Sequence, residues 1–330
     1  MNRPALLTLL LLSGVAHAAP ADAVKFSATL AQMLGHYDAS VMSLQARNLD
    51  SARKHATHPA NELYDLIKAD LTPALRTQFQ ADYTRLNTLL HAAVPNTTQF
   101  QSALKTFEAH TQQAQALVPA VTRTDPKFIA RVISRVAGSA QSEYEEGVEQ
   151  GKVINLNEYQ DAQTYLARAQ RWLSSNSARL PADQGGQTAT ALQAARAVIL
   201  RKGEASALAT QIRRAQTELA EISGDALPQA STGPQAEFDQ IEALLQKAKG
   251  HYASGMADDA NEAVISAYLD HYEQLEAPLG RKDAALEGRL EVTLRDTLRG
   301  LIRSKVSSSA FNAAVDAARA ELVKARALLD

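Results

Sequence analysis

Apolar side chains recur every three or four residues along nearly the whole chain and almost nowhere every second residue, a pattern that predicts helix throughout and no significant β-sheet. Phe26, Leu30, Met33, Leu34 and Tyr37 mark one side of a first helix from Asp22 to about Arg47. Leu49 to Leu71 continues through an interruption at Pro59, and Pro73 to Val94 and Thr98 to Val118 add two helices, stopped by Pro95-Asn96 and Pro119. Thr122-Arg123-Thr124-Asp125-Pro126 then ends the register, which places a boundary between an N-terminal helical bundle (19–122) and a C-terminal helical domain (123–330). Beyond it Ile133, Val136, Ala137, Ala140, Tyr144 and Val148 form one stripe that Gly151 stops. Asn155 caps the next helix with Glu158 three residues on, and Tyr159, Ala162, Leu166, Ala169 and Leu173 supply its buried face. The polar runs Ser174 to Thr190 and Ser223 to Pro234 read as loops, which leaves Ala191 to Ile222 as one long helix. Phe238 to Lys249, Ala257 to Ala277 ended by Pro278, Ala284 to Ile302 and Ser309 to Leu329 complete an all-α chain of antiparallel helical bundles.

The composition narrows what such bundles do. With 330 residues, 45% hydrophobic and 21% charged, the chain fills one large or two ordinary domains. Met1-Asn2-Arg3-Pro4, the apolar run Ala5 to Val15 and the small-residue site Ala16-His17-Ala18 read as a signal peptide over 1–18, so the mature chain is expected to be periplasmic or secreted. No later apolar stretch is long enough to span a membrane, and a net charge of −2 offers nucleic acid no basic footprint. The absence of cysteine excludes disulfides and thiolate metal sites and leaves carboxylate, imidazole, amide and phenol as ligands. There is no Gly-x-Ser-x-Gly elbow, no phosphate-cradling glycine loop and no His-Glu-x-x-His, so no enzyme is expected.

Chemistry concentrates in two tyrosine-flanked carboxylate clusters, Glu143 to Asp161 and Ala267 to Glu276. Glu273 and Glu276 lie three residues apart along a helix whose apolar rhythm is Ile265, Leu269 and Tyr272, so both carboxylates fall near one seam. Buried carboxylates must pair, bind a cation or take up protons. The Gly151-Lys152 turn brings Glu145 and Glu149 toward the start of the next helix, where Glu158 and Asp161 project. Carboxylates from several helices are a usual cysteine-free way to hold iron or manganese, but no Glu-x-x-His element is present, which favours a transfer or sensing site over an oxidising di-iron centre. The competing reading makes Glu145 and Glu149 a solvated helix flank, Glu158 a cap partner and the tyrosines ordinary core. His55 and His58, one turn apart, offer a further pair for a divalent metal. A weak internal echo sets Gly35-His36-Tyr37 and Glu62-Leu63-Tyr64-Asp65 beside Gly250-His251-Tyr252 and Asp270-His271-Tyr272-Glu273.

Tyr144, Gly151-Lys152-Val153, Asn155, Glu158-Tyr159 and Asp161, followed by Ala267-Tyr268-Leu269-Asp270-x-Tyr272-Glu273-x-Leu275-Glu276 and Leu294-Arg295, resemble the exported helical domain of bacterial high-affinity iron permeases. The resemblance runs from about Lys127 to Ile302, and the N-terminal third has no counterpart. It implies iron, as Fe2+ or Fe3+, received or passed on outside the membrane by Glu158, Asp161, Asp270, Glu273 and Glu276. The permease's membrane helices with their Arg-Glu-x-x-Glu elements are missing here. The expected role is therefore an iron-uptake accessory that hands metal to a separate membrane permease through Glu145, Glu149, Glu158, Asp161, Asp270, Glu273 and Glu276. The alternative is a metal-free helical scaffold that binds another envelope protein.

Overall fold

The computed structural model describes residues 18–226 and 233–329. The expected signal peptide, apart from Ala18, and half of the expected 223–234 loop lie outside the described residues. The protein is all-α: the only strands among the described residues are two of two residues each. No helix among them is long and apolar enough to cross a membrane.

Many of the helices begin where the sequence supplies a side-chain acceptor for the orphan amides of a first turn. Asp22 opens α1 (Ala23–Gln45), Asn48 opens α2 (Leu49–His58), Thr72 opens α3 (Pro73–Leu90) and Asn96 opens α4 (Thr97–Gln115). After the short α5 (Ala120–Arg123), Asp125 caps α6 (Pro126–Gly147) and Asn155 caps α7 (Leu156–Asn176). Between α6 and α7, β1 (Val148–Glu149) pairs with β2 (Lys152–Val153), Glu149 opposite Lys152. The turn puts Gln150 at φ 49° and Gly151 at φ 74°, the paired positive values a two-residue hairpin needs. Gly147 has to be glycine here, because a Cβ would meet the Tyr159 amide nitrogen at 2.4 Å. That approach draws the acidic end of α6 against the first turn of α7.

Two expectations fail between 174 and 222. The residues 182–190 are helical, within α8 (Ala182–Leu200), even though Gly185-Gly186 weakens local propensity. Burial of Leu192, Ala195, Val198 and Ile199 against α9 (Ala205–Ser223) outweighs it. The long helix predicted over 191–222 is in fact two, separated at Lys202-Gly203 with Lys202 at φ 55°. α6, α7, α8 and α9 close a four-helix bundle, each touching its neighbours. Tyr144 and Tyr159 tie it by donating hydroxyl bonds to the carbonyls of Gly203 (2.6 Å) and Ile199 (3.2 Å) at the end of α8.

α1 packs on α6 and α7, and α2 to α4 complete this part; their buried side chains, from Phe26 to Leu219, form one continuous apolar cluster. The core is therefore shared across the boundary read at 122/123. A second apolar cluster, Phe238 to Ala325, belongs to α10 (Pro234–Ala253), α11 (Ala257–Ser266), α12 (Glu273–Val292), α13 (Leu298–Arg303) and α14 (Ser308–Leu328). Pro278 does not end its helix; the break falls at Asp283 (φ −153°), whose carboxylate caps the amides of Ala285 and Leu286.

Three segments widen from α to π geometry: Pro59–Leu63, Ala267–Tyr272 and Thr293–Thr297. Such turns carry one extra residue within a helix and often mark functional positions. All three face the same cavity. The Asp270 segment and the Glu62 segment of the sequence echo thus share a local geometry. Polar links cross from one core to the other around that cavity: Lys25 to Glu262 (3.2 Å), Arg135 to Asp270 (2.6 Å), Arg299 to Asp65 (2.8 Å) and Gln274 to Ser142 (2.8 Å).

Candidate metal centre

The cavity between the two cores encloses about 1370 Å³. His36 of α1, Glu62 of the first π turn, Glu143 and Glu146 of α6, Glu158 and Tyr165 of α7, Tyr268 of the second π turn, and Glu273 and Glu276 of α12 all line it. Spacing explains why: Glu143 and Glu146 are one turn apart on α6, as Glu273 and Glu276 are on α12, so each helix presents an acidic edge.

At one end Asp161, fully buried, receives His36 Nδ1 on one oxygen and His55 Nδ1 on the other, each at 3.0 Å. An ionised carboxylate only accepts, so both imidazoles donate. His55 Nε2 meets the Gln160 oxygen at 2.9 Å, which makes His55 a donor at both nitrogens. Burial works against a charged His55, but the Asp161 bond and charge overcome it and raise its pKa. Burial likewise works to raise Asp161, and the two imidazoles hold it well below the usual carboxylate range. His36 is positioned by this network and turns Nε2 to the Tyr165 hydroxyl at 2.6 Å. His58 sits beside His36, rings 4.8 Å apart, and burial together with that neighbour pushes it down to about 4. The metal pair read from the sequence as His55 and His58 is thus divided: His55 joins His36 on Asp161, and His58 faces His36 and Glu62.

Along the facing edges of α6 and α12 the balance reverses. Burial raises Glu143, Glu146 and Glu273 far above the ordinary range, and the groups that act on them next most strongly are other acids. The charge of Glu158 raises Glu143 and that of Glu276 raises Glu146, and ligand oxygens of Glu143 and Glu158 lie within 4.8 Å of one another. Burial pushes Glu276 up to about 8, and its Oε1 has no hydrogen-bond partner although the residue is 8% exposed.

Ligand atoms of His36, His55 and Asp161 all lie within 4.8 Å of one another, as do those of Glu143, Glu158 and Asp161, so this is a possible buried metal site with two ligand groups sharing Asp161. Of the residues singled out in the sequence, Glu158 and Asp161 come together here, and Glu273 and Glu276 line the same cavity as Glu158. Glu158 also accepts from the Asn155 side chain, as its cap position predicts. Asp270 lines the rim bound to Arg135, Glu145 is held by Gln141 (2.8 Å), and Glu149 stands in the hairpin opposite Lys152. Sequence reasoning passed over Glu143 and Glu146, whose spacing of three was the available signal, and used His36 and Glu62 only as parts of the echo.

Residues 119–226 match the family model of the iron permease-associated 4-helix bundle domain. This is the α6 to α9 bundle with the short turn before it, and the similarity to the iron-permease domain expected from its residues holds there, in a chain where no described helix can span a membrane. The match ends before α10, so the Ala267 to Glu276 block lies outside it. Neither curated proteins nor solved structures match the chain.

Proposed function

We propose that this chain is a periplasmic iron-binding accessory, without catalysis of its own, that takes iron into the acidic cavity and passes it to a separate membrane permease. The observation that carries this reading is the crowding of acids along α6 and α12: Glu143, Glu146, Glu273 and Glu276 line one cavity with Glu158, and Glu276 Oε1 is buried there without a hydrogen-bond partner. A hard cation satisfies oxygen ligands of this kind. The family match supports iron as the cargo, since it falls on the helices that carry Glu143, Glu146, Glu158 and Asp161. Glu276 Oε1, buried without a donor, is an acceptor that a cation would engage.

A metal-free scaffold is the second reading, favoured by the His36–Asp161–His55 network, which already closes on itself. Anaerobic calorimetric titration of the mature protein with Fe2+ separates the two. The iron reading expects saturable micromolar or tighter binding that Glu273→Gln with Glu276→Gln weakens at least tenfold. A folded protein that gives no binding heat and retains no iron after gel filtration supports the scaffold.

A further inference from the structure

We propose that Tyr165 is a ligand in this cavity, that its phenolate oxygen binds Fe3+ beside His36 Nε2, and that it makes the site prefer ferric over ferrous iron. The inference rests on the iron-binding reading above and adds to it a ligand outside the acids and an oxidation state.

Tyr165 is held in place from two sides. It follows Asp161 by one turn of α7, so both side chains leave the same face of that helix. Its ring fills the space that Gly35 of α1 leaves open: a Cβ there would come within 2.5 Å of ring carbon Cδ1. Next to that glycine is His36, whose ring meets the Tyr165 ring edge-on with centroids 5.2 Å apart. Tyr165 is 2% exposed and yet lines the cavity.

The hydrogen bonds fix where the lone pairs lie. Asp161 takes the Nδ1 proton of His36 at 3.0 Å, so in the neutral ring the lone pair sits on Nε2, and the Tyr165 hydroxyl donates to it at 2.6 Å. Two ligands at right angles, each about 2.0–2.1 Å from one metal ion, stand about 2.9 Å apart. The imidazole nitrogen and the phenol oxygen are therefore already close to the spacing of neighbouring ligands. Glu143 and Glu158 line the same cavity, and their ligand oxygens lie within 4.8 Å of each other and of one from Asp161. When Fe3+ enters, the phenol O–H bond breaks, an O–Fe bond forms and the proton leaves to solvent; the iron stays ferric throughout. Phenolate oxygen is a known ligand of iron. It gains more from a trivalent than from a divalent ion, because Coulomb attraction grows with charge.

The test loads metal-stripped protein with Fe3+ from its nitrilotriacetate complex, removes excess by gel filtration, and reads visible absorption and resonance Raman scattering. A phenolate-to-iron charge-transfer band with tyrosinate ring vibrations is expected. Tyr165→Phe keeps the ring that fills the gap at Gly35, and thermal melts check that its fold persists. It should bind Fe3+ at least about tenfold more weakly, show no such band at any loading, and bind Fe2+ within about twofold of the unmodified chain. Fe3+ bound without the band overturns Tyr165 as a ligand and leaves the iron-binding reading standing. A band that survives in Tyr165→Phe does the same, since it belongs to another tyrosine such as Tyr268 on the same cavity. Equal loss of Fe3+ and Fe2+ affinity overturns the ferric preference. Failure to take up either ion overturns both this inference and the iron-binding reading.

Discussion

The two ends of the cavity hold carboxylates under opposite conditions. Asp161 brings its countercharge with it: two imidazoles occupy its oxygens, and the group stays ionised in a site with no solvent. Glu143, Glu146, Glu273 and Glu276 have mainly other acids as charged neighbours, and burial with those charges raises all four. A compensated charge is part of the scaffold; an uncompensated group of acids is a demand for something from outside. Seen this way, His55 and Asp161 act as support, turning His36 toward the cavity, as outer carboxylates commonly orient metal-binding imidazoles.

The sharpest way to break the contrast is at the compensated end. Asp161→Asn removes one partner of a buried charge network, and loss of about 3–5 kcal/mol of unfolding free energy is expected from urea denaturation. A change below 1 kcal/mol would put Asp161 among the recruitable acids. Next comes pH. Glu276 has its folded pKa raised from 4.5 to about 8, so the folded state binds the extra proton and the stability this gives is present at low pH and lost as pH rises across that window. In metal-free protein Glu276→Gln should flatten that decline and gain on the order of a few kcal/mol at pH 8, with little change at pH 4.5. Equal pH slopes for the variant and the parent would refute the uncompensated edge. The smallest effect belongs to the rim. Arg135→Ala, which frees the partly exposed Asp270, should cost no more than about 1 kcal/mol and leave metal affinity within about twofold.

Much of the fold was legible because caps and prolines are local signals. Asp22, Asn48, Asn96, Asp125 and Asn155 open helices near the predicted positions, and the acids at 273 and 276 do share a seam. The errors came where tertiary packing overrides propensity: Gly185-Gly186 is carried in a helix by the apolar face that follows it. Half of the site was hidden for a related reason. His36, Glu62 and Asp161 meet across three segments far apart in the chain, and no spacing along the sequence encodes such a meeting. Glu146 was readable in principle from its spacing to Glu143, but the apolar stripe of α6 does not say which of its polar edges, that of Glu145 and Glu149 or that of Glu143 and Glu146, lies along α12.

The widened turn at Ala267–Tyr272 sets the phase of everything after it. A helix advances about 100° with each residue, so a chain shorter by one amino acid at this point would relax to the ordinary repeat and swing Glu273 and Glu276 away from α6. Its composition would scarcely alter, and its helices would still form. What such a deletion would erase is the meeting of two acidic edges, which depends on a single residue of slack.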